Sequence, residues 1–141
     1  MTGLAGVMAG HLEPAVYQWH TAFNPTDVRH SVEHAGWRFA YVDGWTHQDK
    51  ATFLDAIAEA LAFPEHFGRN FDALTDCLRD VDGAGTVLLW DGWGPLARSD
   101  RESFETAVDC LRARSGEASQ SRFVALLRGE GPEVDLPVLD C

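Results

Sequence analysis

Three aspartates, Asp72, Asp76 and Asp80, recur at four-residue intervals within the run Phe63 to Val81, FPEHFGRNFDALTDCLRDV. On a helix such carboxylates stand on successive turns of one side and repel, which costs stability unless the face serves something else. Fixed carboxylates offer two kinds of chemistry. A pair can act as general acid and base, as in glycoside hydrolysis, provided that a cleft encloses them and one has a raised pKa. Alternatively, a rigid acidic face beside an aromatic turn can meet a cationic surface. At about 100° per residue, Phe71, Leu74, Leu78 and Val81 fall within roughly 80° of one another as a core-facing stripe. Asp72, Thr75, Asp76 and Arg79 lie on the other side, with Asp80 at its edge. An open helix face promises no cleft, and the chain has no GxSxG, P-loop or suitably placed GxGxxG. The sequence therefore favours binding over catalysis and predicts a protein that is not an enzyme.

The elements that must hold this face read as an alternating series. Asn70 is a good N-cap for the acidic helix, Gly68 gives the chain before it a flexible point, and Gly83 to Gly85 close it. Before it, Thr26 to Ala35 reads as a short helix stopped by Gly36, Trp37 to Val42 as a strand ended by Asp43-Gly44, and Asp49 to Ala62 as a helix. After it come a buried strand, Thr86 to Trp90, and a turn-rich DGWGP. A helix capped by Ser99 or Asp100 carries Phe104, Ala107, Val108 and Leu111, and a last strand spans Phe123 to Leu127. Ala15 to Ala22 is a weaker strand with Tyr17 and Trp19 on one face. Residues 1–15 read as loose, and the acidic tail after Arg128 as irregular. The alternation predicts an α/β layer with a mainly parallel sheet.

Composition bounds the partners. The 141 residues carry a net charge of -11 and 45% apolar residues, the profile of a folded acidic globule. That charge disfavours nucleic acid or an anionic membrane as direct ligand and suits a basic protein partner or plain solubility. Cys77, Cys110 and Cys141, odd in number and far apart, fit reduced thiols in a cytoplasm. There is no convincing signal peptide, and no apolar run approaches the ~18 residues of a spanning helix. His30 and His34 are spaced for a metal, but no HExxH completes a site, so neither metal nor cofactor is expected. Trp45, Trp90 and Trp93, beside turns, read as core or rim aromatics.

The run Pro64-Glu65-His66-Phe67-Gly68-Arg69-Asn70-Phe71-Asp72-Ala73-Leu74, continuing through Asp76-Cys77-Leu78, resembles the barstar family of intracellular ribonuclease inhibitors. The resemblance extends more loosely from Trp37 to Arg128. It implies a small barstar-like α/β domain over 37–128, with a mainly parallel three-stranded sheet packed with helices. Residues 1–36 would be an N-terminal extension and 129–141 an acidic C-terminal tail. It also implies an inhibitor that plugs the phosphate-binding active site of a secreted microbial, guanyl-specific type ribonuclease one-to-one, with the acidic helix and the loop before it. Asp76 matches the central carboxylate and Asp72 a second one. His66 sits where the family usually has a Tyr, an ordinary turn histidine being the alternative. Phe67 reads as packing beneath the loop, and Gly68 and Asn70 shape it. Thr75, where a Trp is common, and Arg79 with Asp80 would line the rest of the contact.

Three departures bear on the partner. Thr75 cannot supply a large apolar contact. Arg79 places a cation beside the acids, and Arg112, Ala113 and Arg114 offer no Glu where the family has one on its last helix. Arg79, Thr75 and the N-terminal extension motivate an alternative, an immunity protein or antitoxin against a toxin that is not a ribonuclease. A regulatory interaction domain would instead be favoured if Ala15 to Ala22 formed an exposed strand edge.

Overall fold

In the computed structural model, residues 3–117 and 121–140 are described. Cys141 lies outside them. Five strands run in the order β2 (Arg38–Asp43), β3 (Gly85–Asp91), β4 (Arg122–Arg128), β1 (Val16–Trp19) and β5 (Val138–Leu139), every neighbouring pair parallel. Helices α1 (Gly3–Met8) and α2 (Pro25–His34) are contributed by the N-terminal segment. The others are α3 (Lys50–Ala60), α4 (Phe71–Arg79), α5 (Gly94–Ser99) and α6 (Arg101–Ser115).

Helices cover both faces, which is why the central strands are continuously apolar rather than alternating with polar residues. On β3, Leu88 and Trp90 point into one core with Phe53, Leu54 and Ile57 of α3, Leu74 and Leu78 of α4, and Phe104, Ala107 and Leu111 of α6. The intervening Val87 and Leu89 enter a second core with Leu4, Val7, Val28, Val32, Trp37 and Phe39. Trp90 lies between Phe53 and Phe104, with ring centroids 4.5 and 5.7 Å away. Trp93 is buried and stacks on Phe104 at 5.3 Å, whereas Trp45 is exposed.

The sheet has five strands instead of three, because β1 pairs with both β4 and β5. For the same reason β1 is not an exposed edge. The tail is not wholly irregular, since Gln18 pairs with Val138 and Leu136 joins the larger core. The loose reading of 1–15 fails over Gly3–Met8, a helix that buries Leu4 and Val7. The segment after Trp93 winds into α5 with Pro95 in its first turn, a position where the missing amide hydrogen costs nothing. Tyr17 and Trp19 do share one face, that of the second core.

Candidate functional site

The acidic helix is held at both ends. At its start, Asn70 Oδ1 accepts a hydrogen bond from the Ala73 amide at 2.7 Å, satisfying one of the helix's free donors. Arg69, just before, has a positive φ of 52°, uncommon without a glycine. Its guanidinium is clamped on Asp55 of α3, at 2.7 and 3.0 Å through two nitrogens, which fixes the loop against the neighbouring helix. A Cβ at Gly68 would stand 3.2 Å from the side-chain nitrogen Nδ2 of Asn70, a close approach. Phe67 packs against Phe63 with ring centroids 5.2 Å apart and leans on the core, as its position beneath the loop implies.

At the other end a buried cation holds the helix. Arg114 of α6 is 2% exposed. It donates from Nε to the Leu78 carbonyl at 2.8 Å, and from one terminal nitrogen to the carbonyls of Val81 and Ser121, both at 2.9 Å. Its guanidinium lies 5.5 Å from the centroid of Phe123. The carbonyls at a helix C-terminus lack intrahelical donors and carry partial negative charge, so this site suits a cation without a carboxylate. Arg114 was missed as an anchor at the sequence level. The available signal was its place three residues after Leu111, on the apolar stripe of its own helix.

Between these anchors the outward residues fall as the helical spacing predicts. Leu74 and Leu78 are buried, Phe71 is half-buried, and Asp72, Asp76, Arg79 and Asp80 are exposed. The side chains of Asp72, Asp80 and His66 make no hydrogen bond or ion pair with the described residues. Asp76 meets Arg79 at 3.4 Å, and Arg79 also approaches Glu117 at 3.9 Å. Glu117, just past the end of α6, was not foreseen: it brings an acid beside the face although Arg112, Ala113 and Arg114 supply none. Thr75 is turned sideways. It is half-buried, its hydroxyl donates to the Phe71 carbonyl at 3.0 Å, and it lies 3.4 Å from Cys110 Sγ of α6. Burial pushes the Cys77 thiol up, with the charges of Asp80 and Asp76 adding to it, so the reactive thiolate is disfavoured.

A second set of charges sits at the carboxyl ends of three adjacent strands. Arg128 of β4 grips Asp91 of β3 at 2.8 and 3.1 Å, and Tyr41 of β2 donates to the same carboxylate at 2.9 Å. Arg128 also donates to the Phe23 carbonyl in the loop after β1. Burial alone would raise the Asp91 carboxyl, but the bonds from Arg128 and Tyr41 outweigh it and hold it below the usual range. Burial, then the hydrogen bond to Asp91, pushes Tyr41 up to about 12. Trp45 lies over Gly92, where a Cβ would come within 2.6 Å of the ring. Among the described residues no group of three or more His, Cys, Asp or Glu could hold a metal ion. None of their helices is long and apolar enough to cross a membrane.

The family model described as Barstar (barnase inhibitor) matches residues 37–128, a span that contains α4, the loop before it, and Arg114. No curated protein matches. Among solved structures, the ORC2 protein of Aeropyrum pernix in its ADPNP–ADP complexes is similar, with a TM-score of 0.61 and 15% identity. The match covers 91% of this chain and 38% of that one, and at such low identity it shows likeness of fold alone.

Proposed function

The chain belongs to the barstar family, and on that premise we propose that it is an inhibitor protein for a secreted microbial ribonuclease of the guanyl-specific type. It binds one-to-one in the cytoplasm of the producing cell and closes the enzyme's phosphate-binding site with α4 and the loop before it. The observation that carries this reading is the unneutralised carboxylate of Asp72, one turn from Asp76, on a helix pinned at both ends. Nothing among the described residues pairs with Asp72, so its charge is free for a partner.

The chemistry is occupancy. A ribonuclease must hold phosphate with Arg, Lys and His, so its cleft is concave and positive. Asp76 and Asp72 stand in for two phosphate charges, and the capped helix means that little conformational freedom is lost on binding. The chain's negative field speeds encounter with a basic enzyme, an effect that fades as salt rises. A catalytic role for the pair fits less well. A general acid needs a desolvated carboxyl, whereas the Asp76 side chain is 74% exposed.

Titrating a small secreted guanyl-specific ribonuclease with the protein tests the proposal. The expected result is a sharp loss of RNA cleavage with its endpoint at one equivalent. No loss at severalfold excess overturns the ribonuclease target. It would favour the second reading, an immunity protein against a different toxin, which is motivated by Thr75 facing α6 and by the cation of Arg79.

A further inference from the structure

Arg79 does not fit a face made only to meet cations. It follows Asp76 by three residues and Asp72 by seven, so all three point the same way, and its side chain is 62% exposed. Its two acidic contacts, 3.4 Å to Asp76 and 3.9 Å to Glu117, are long and open to water. Exposed pairs of this kind contribute little to folding. Arg69 shows the contrast, locked on Asp55 at 2.7 and 3.0 Å. Arg79 therefore keeps most of its planar donor fork available to another molecule.

Docking changes its surroundings. Once the partner's cations take the Asp76 carboxylate, Arg79 loses its nearer acid and faces like charges in a drier place. A guanidinium without a counter-charge is costly there. One carboxylate on the partner, set beside its phosphate-binding cations, removes that cost and forms a charge-assisted pair. A nuclease cleft has a chemical reason to contain such an acid, because the 2′-hydroxyl of RNA must lose its proton to a general base.

We propose that Arg79 is a specificity residue that recognises a carboxylate within the partner's basic cleft, so that the face fits cations interrupted by one acid and rejects a uniformly basic pocket. This rests on the inhibitor reading above. The test measures association and dissociation rates of Arg79→Ala with the guanyl-specific ribonuclease. Arg29→Ala, on α2 across the sheet, serves as the control for net charge. Arg79→Ala is expected to dissociate about tenfold faster without associating more slowly, while Arg29→Ala keeps the wild-type dissociation rate. Replacing the ribonuclease's active-site carboxylate by its amide should cost wild type a similar factor and cost Arg79→Ala nothing, the signature of a direct pair. If Arg79→Ala binds as tightly as wild type or tighter, Arg79 is only a brake on Asp76 and the inference fails while the inhibitor reading stands. If wild type does not bind the enzyme, the inhibitor reading fails and takes the inference with it.

Discussion

The charges on α4 and those at the carboxyl end of the sheet differ in one respect: who satisfies them. At the sheet end Arg128, Asp91 and Tyr41 satisfy one another, with the Arg128 and Asp91 side chains only 15% and 14% exposed. On α4 the acids face water, and the one cation among them is loosely held. The first arrangement ties three strands and the loop after β1 together. The second adds little to the fold: Asp72 in the first turn and Arg79 in the last suit the helix dipole, while like charges a turn apart work slightly against the helix. Charges whose partners are all internal serve stability. Charges left unmatched on a rigid, well-anchored element are available for an external partner.

The α4 charges should govern binding and leave folding untouched. Asp76→Ala should cost about 4 kcal/mol of binding to the ribonuclease and Asp72→Ala about 2 kcal/mol, as expected for carboxylates desolvated against arginines. Neither should lower the melting temperature, because surface changes of this kind stay within about 0.5 kcal/mol. A clear loss of stability in either variant would place the α4 charges with the structural set.

Arg114→Met is the reverse test. Three main-chain carbonyls lose a charged donor, so about 3 kcal/mol of stability should go, a fall of roughly 10 °C in thermal unfolding. Any loss of binding should come from a misplaced α4, since Arg114 itself is buried.

A smaller effect is expected at the sheet end, where Asp91→Asn should cost about 2 kcal/mol at neutral pH, a buried-pair penalty discounted for partial exposure. Because the Asp91 carboxyl is held low when folded, its stabilisation is complete above the unfolded value of about 4 and lost as pH falls through the folded one. Urea midpoints of wild type and variant should therefore converge in acid. Equal midpoints at neutral pH would show that the pair does not stabilise the fold.

A last effect is alkaline. Tyr41 is pushed from an ordinary value of 10.0 to about 12, so the folded state keeps its proton while the unfolded chain loses it. Stability from Tyr41 is whole below pH 10 and declines up to about 12. Between those limits wild type should lose stability faster than Tyr41→Phe, and parallel curves would contradict both its burial and its bond to Asp91.

Much of the α4 face is legible in sequence because its causes are local. An asparagine with helical spacing after it marks the start, and the stripe of Phe71, Leu74 and Leu78 sets which way the aspartates point. Asp49 and Asp100 cap their helices by the same short-range logic. Less legible were the short pieces. Val138–Leu139 is too brief to show any period, and Val16–Trp19, inside the weaker strand read from sequence, gives no sign of its pairing with β4 and β5. Gly3–Met8 has a composition that reads as loop and becomes a helix by burying Leu4 and Val7 against the second core.

What the sequence determined by itself is the identity of the face: a capped, amphipathic helix with aspartates outward, inside a run that carries the family resemblance. Spacing and capping act over a few residues, so they can be read from a string. Which charges remain free is settled by contacts between distant parts of the chain. Arg114 reaches carbonyls 36 and 33 residues away, Arg128 pairs with an acid 37 residues distant, and Glu117 reaches back to Arg79. Those meetings exist once the sheet has closed and the helices have packed. A charge becomes available to a partner only when folding has failed to give it one.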